Sequence, residues 1–115
     1  MDYNTAIKTL NGKLTKKVEN NTQLLKTEKG VSLVLHQTAV LQFLDNGKIV
    51  VSSGGYESNV TKDRINSFIP DSFPYQVVTR QRSFKWQKKR TSETLPFIDG
   101  QTFTQNKKGD WKGNK

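Results

Sequence analysis

Residues 31–69 hold most of the dense apolar periodicity in this chain, so the other segments must pack against them or hang from them. Val31, Leu33 and Leu35 alternate with Ser32, Val34 and His36, the period of two that marks a half-buried strand. Residues 39–44 and 48–52 are two further strand-like runs, and they flank Asp45-Asn46-Gly47. Asn and Gly readily adopt the left-handed backbone that tight hairpins need, which makes this the strongest local signal in the chain. Two registers remain open. A loop of Asn46 and Gly47 pairs Leu44 with Ile49. A loop one residue longer, with a glycine bulge, sets Phe43 opposite Ile49 and puts Leu41, Phe43, Ile49 and Val51 on one face. Ser52-Ser53-Gly54-Gly55 ends the hairpin. A short helix is expected next, capped by Thr61 and with Asp63 in its first turn. Ile65, Phe68 and Ile69 form its buried stripe, and Pro70 stops it.

The flanking segments are weaker. Residues 1–13 read as a short helix through Ala6, Ile7 and Leu10, or as a loose arm. Residues 22–27 read as a strand that turns at 28–30. Residues 75–79 and 84–88 read as two strands, followed by a polar loop and an edge strand within 95–103. From Thr104 onward the chain has no periodicity and little to bury, which predicts disorder. The expected fold is therefore α+β. A single domain over 1–103 would hold one antiparallel sheet of five or six strands with one short helix packed on it, followed by a basic tail at 104–115. A small open β-barrel is the alternative.

Composition narrows the function classes. Hydrophobic residues make up 32% of the 115 positions, enough for one modest core. There is no cysteine, which excludes a disulfide framework, a thiolate metal site and a cysteine nucleophile. No run approaches the roughly 18 apolar residues of a membrane span, and no apolar signal core begins the chain, so a cytoplasmic protein is expected. The net charge is +9 and uneven. Residues 1–79 carry nine Lys/Arg against seven Asp/Glu, and residues 80–115 carry ten against three. Such asymmetry suits a polyanion, most often nucleic acid, although charge runs are also ordinary solvated surface.

Arg80, Arg82, Lys85, Trp86, Lys88, Lys89 and Arg90 are the candidate nucleic-acid-binding residues. An unbroken strand would align Arg80, Arg82, Phe84 and Trp86 on one face, a stacking surface for single strands. A hairpin turning at Gln81-Arg82-Ser83 is favoured instead. It makes Phe84 or Trp86 core and leaves the cations at the tip and flank for phosphate contact. A second candidate, for a small anion, is Ser53, Gly54, Gly55 and Tyr56 with Thr61, Lys62 and Arg64. Its spacing matches neither a P-loop nor a dinucleotide fingerprint, and the plainer reading is a loop that needs glycine to leave the sheet. His36, the only histidine, reads as structural, with its ring hydrogen-bonded at a sheet face. Trp111, between Lys108 and Lys112, is an anchor or solvated. No acid–base or nucleophile constellation is present, so no enzyme, metal or cofactor is expected.

Several short motifs resemble a small protein family common in bacteriophage genomes. They are Asn20-Asn21-Thr22, Leu35-His36-x-Thr38-x-Val40, Phe43, Asn46-Gly47, Ser53-Gly54-Gly55, Thr61-Lys62-Asp63-Arg64-Ile65-Asn66 and Ile69-Pro70. Phe97, Asp99 and Gly100 extend the resemblance, which spans residues 18 to 103. Tyr56 stands where that family usually has tryptophan. The resemblance implies a phage origin, hence a host-cell cytoplasm, and supplies no mechanism, since that family has no assigned activity. The expected function is a non-enzymatic accessory protein that binds nucleic acid through its basic flank. A protein that binds and inhibits a host defence or replication factor is the alternative, and a small anionic ligand binder is a weaker one.

Overall fold

The computed structural model describes residues 1–114, with Asn114 described by its backbone alone. Helix α1 (Tyr3–Leu10) opens the chain. Strands β1 (Thr15–Glu19), β2 (Thr22–Lys26), β3 (Gly30–Leu35), β4 (Thr38–Leu44) and β5 (Ile49–Val51) follow. Then come α2 (Asn59–Phe68), β6 (Tyr75–Arg80), β7 (Ser83–Lys88), β8 (Thr94–Pro96), β9 (Gln101–Gln105) and β10 (Trp111–Asn114). Two antiparallel sheets result, one ordered β1-β2-β3-β4-β5-β9-β10 and one ordered β6-β7-β8. The protein is mainly β, with two short helices as minor elements. The expectation of one sheet of five or six strands is corrected to two sheets, and the larger one does not close into a barrel. The run within 95–103 does not form one edge strand. It divides into β8 and β9, one in each sheet, and Asp99-Gly100 lies in the crossover between them.

Register builds the core. Leu24, Leu33, Leu41 and Val51 are successive partners across β2–β5. Val31, Phe43, Ile49 and Phe103 form a second such row across β3, β4, β5 and β9. All eight are buried, and cross-strand neighbours of this kind are the unit of sheet stability. Phe43 faces Ile49, so the longer of the two loops at 45–47 is the one used. An irregularity between Leu33 and Val34 inserts an extra residue in β4, so the adjacent Val40 and Leu41 are both buried.

Residues 1–13 contain an ordered helix rather than a loose arm. Asp2 caps α1 by accepting from the Thr5 backbone N–H at 2.8 Å, and that bond holds its carboxyl below the ordinary value. Ala6 and Leu10 are buried where α1 meets β1–β4. Helix α2 starts earlier than expected. Its cap is Ser58, whose Oγ accepts from the Thr61 N–H, while Thr61 itself is buried inside the first turn. Ile65 and Ile69 are buried as the periodicity predicts, and α2 packs between β4 and β6.

Two further expectations fail. The stretch from Thr104 is not disordered through residue 114, because β10 pairs with β9 from Trp111↔Gln105 to Asn114↔Thr102. Trp111 lies edge-on to Phe73 at 5.6 Å and donates Nε1–H to Ser72 Oγ at 3.1 Å. His36 is not on a sheet face. It is exposed in the β3–β4 turn at φ 56°, and its backbone N–H donates to the Asn21 carbonyl at 2.7 Å.

Candidate functional site

The basic residues gather on the small sheet. Arg80 pairs with Ser83 across a two-residue turn of Gln81 and Arg82, both at positive φ, a backbone twist that suits a tight hairpin. Strand alternation puts Arg80 and Lys85 on the face opposite buried Val77 and Trp86, together with Gln76, Val78, Ser83 and Gln87. Arg80 donates Nη2–H to Gln87 Oε1 at 2.8 Å, which holds the guanidinium along the strand. Arg82 caps the hairpin tip. Lys88, Lys89 and Arg90 sit at the other end of β7, about 17 Å away at the rise of an extended chain. Lys62 reaches the tip end from the Val77 and Trp86 side, donating to Thr79 Oγ1 at 3.3 Å, and the same alternation puts Lys88 on that side. Among the described residues, the only carboxylate paired to any of these cations is Glu93, which is 3.9 Å from Lys88.

Trp86 does not belong to this surface, which corrects its place beside these cations. It is 2% exposed and packs against Phe73, Phe97 and Phe103 at ring distances of 5.2–5.6 Å. Phe84 is buried as well, so the hairpin reading of 80–88 holds and the stacking platform does not form.

The glycine loop is committed elsewhere. Asp99 reaches across 46 positions to accept from Ser53 N–H at 2.8 Å and from Ser53 Oγ–H at 2.9 Å. Gly54 N–H donates to Ser52 Oγ, Gly55 N–H to Ser53 Oγ, and Tyr56 N–H to the Ser53 carbonyl. With these donors occupied, the loop offers no backbone cradle to an anion. Gly54 has φ +63°, and a Cβ there would strike Thr38 Cγ2. The glycines serve the turn and its packing on β4.

The rest of the small-anion set also separates. Arg64 is drawn to the β1–β2 turn, donating Nε–H to Thr22 Oγ1 at 2.9 Å and Nη2–H to the Asn20 carbonyl at 3.4 Å, with Asp63 on Nη1. Lys62 faces Thr79. Ser53, Tyr56 and Thr61 do line one open cleft of ≈ 680 Å³, with His36, Glu57 and Val60. That cleft has no Lys or Arg in its lining and one carboxylate, so its charge does not favour an anion.

Several motif residues therefore act as braces between elements. Asn66 makes two bonds to Val77, accepting from its N–H at 2.7 Å and donating to its carbonyl at 2.9 Å, which covers the open edge of β6. Glu57 accepts from Phe84 N–H at 2.9 Å, and sequence reading missed it because nothing local marks it. Among the described residues no group of three His, Cys, Asp or Glu side chains is placed to hold a metal ion. No described helix is long and apolar enough to cross a membrane.

No curated protein and no solved structure matches the chain. The family described as Kyanoviridae Gp96 protein matches residues 2–104, most of the chain. The chain belongs to that bacteriophage family, the Kyanoviridae Gp96 proteins, for which no activity is assigned.

Proposed function

We propose that this phage protein is a non-enzymatic nucleic-acid binder that contacts the sugar–phosphate backbone through β6, β7 and their loops. One observation carries the reading. Of Lys62, Arg80, Arg82, Lys85, Lys88, Lys89 and Arg90, only Lys88 has a carboxylate partner among the described residues. Unneutralised cations spread over about 17 Å suit a polymer better than a small anion, since that length of duplex axis carries about ten phosphates. The outer face of β6 and β7 bears no aromatic ring, so contact is with phosphate and largely independent of base sequence.

Fluorescence anisotropy with labelled DNA and RNA, single- and double-stranded, across a salt series tests this. Four to six phosphate contacts give log Kd a slope of about 4 to 5 against log salt, and the Arg80→Ala/Lys85→Ala pair lowers it by about 2. Absence of binding to every probe at low salt removes the proposal. A host protein is the second reading. It is favoured by Tyr56 and Val60, 69% and 49% exposed beside the ≈ 680 Å³ cleft. A pull-down from host lysate that survives nuclease treatment supports it over the first.

A further inference from the structure

The row Leu24, Leu33, Leu41, Val51 continues one strand further, and the next partner is Gln101. Four apolar residues thus lead to an amide on the same face. Among the described residues two buried side-chain atoms have no hydrogen-bond partner, Gln101 Oε1 and Trp86 Nε1. An unpaired buried donor or acceptor carries its full desolvation cost, and native proteins leave few of them. One is an acceptor, the other a donor, and both residues line the same groove of ≈ 440 Å³ between β8 and β10. Phe73, Tyr75, Phe103 and Trp111 give it aromatic walls, while strand alternation turns the Lys112 side chain to the other face of β10. Leu95 and Ile98, 40% and 45% exposed, complete its lining. Gln101 lies against a glycine in β10, where a Cβ on Gly113 would come within 2.6 Å of its Nε2.

We propose that this groove binds the base of one nucleotide. Its flat base lies against the aromatic walls, the Trp86 indole N–H donates to a base acceptor, and Gln101 Oε1 accepts from a neighbouring base N–H. Two features select this class together: flat aromatic walls, and an unpartnered donor and acceptor on residues that line the same groove. The Gln101 amide turns on its flexible stem to open the two atoms, which are closed to solvent without ligand. The site uses none of the cations of the β6–β7 surface, so it stands or falls apart from the backbone-binding reading.

The test follows the Trp86 indole N–H resonance in the ¹⁵N-labelled full chain, assigned by comparison with Trp111→Phe. Adenosine monophosphate, ribose 5-phosphate and a short oligo(dA) are titrated in parallel. The expected result is a shift of the Trp86 signal with a base-bearing ligand and none with ribose 5-phosphate. Gln101→Met keeps the shape, removes the acceptor, and weakens binding about fivefold to tenfold. Arg80→Ala/Lys85→Ala leaves the monophosphate affinity unchanged. A shift with the monophosphate assigns a free nucleotide, and a shift with oligo(dA) alone assigns an unstacked nucleotide of a strand. No shift with either, an equal response to ribose 5-phosphate, or unaltered affinity in Gln101→Met overturns the proposal.

Discussion

Replacing Asp99 by alanine tests the assignment of the glycine loop as architecture. Ser53 is 2% exposed, and its N–H and Oγ–H both end on the Asp99 carboxylate at 2.8–3.0 Å. In Asp99→Ala both donors lose their acceptor. A stranded buried donor costs about 1–3 kcal/mol, and water entering from the exposed Asp99 side offsets part of that, leaving about 2–3 kcal/mol for the pair. Unfolding entropy near about 2.1 cal/mol/K per residue over the chain gives about 0.24 kcal/mol/K, so Tm falls by about 8–12 °C. Thermal melts followed by circular dichroism read this directly. Asp99→Asn keeps one acceptor oxygen and loses less than half as much. Ser53→Ala and the double variant close a cycle whose coupling is about 1 kcal/mol or more. A fall in Tm of under about 2 °C in Asp99→Ala, or a coupling near zero, refutes the reasoning.

Three other outcomes are expected. Gly54→Ala combines a left-handed backbone with a clash on Thr38 and lowers the urea-unfolding free energy by about 2 kcal/mol or more. Asn66→Ala frees the backbone of Val77 on the β6 edge at a cost of about 1–2 kcal/mol, and hydrogen exchange at the Val77 amide speeds accordingly. Asp2→Ala removes the α1 cap and costs about 1 kcal/mol at neutral pH. The Thr5 N–H lowers the folded carboxyl below 3.8, so the cap's contribution is complete above that pH and is lost as pH falls through the folded value; melts of the two proteins should converge in strong acid.

Much of the large sheet was legible locally. Alternation at Val31, Leu33 and Leu35 and the Asp45-Asn46-Gly47 turn mark strands whatever surrounds them. The turn alone could not choose its register. That choice is seen in the wider sheet, where Ile49 faces Phe43 on one side and Phe103 on the other, and a slip of one residue would turn these apolar side chains outward. The candidate sites were less legible. The segment 80–88 fits a stacking platform or a hairpin with a buried face, and Trp86 is drawn inward by rings from three distant segments. Ser53 and Asp99 each look like turn residues until the crossover between sheets brings them together. Strand β10 was invisible because backbone pairing carries no periodicity of its own and Trp111 gains its purpose only from Phe73.

The amino-acid order by itself determined the β-rich centre, the hairpin turns, the end of α2 at Pro70 and the excess of positive charge after residue 79, because these depend on backbone sterics, pattern period and counting. Tertiary structure alone decided which cations share the β6–β7 surface, which are consumed as braces, and that Gln101 and Trp86 line one groove. Those outcomes turn on contacts between residues far apart in the chain, whose pairing is selected by the burial and hydrogen bonding of the whole fold.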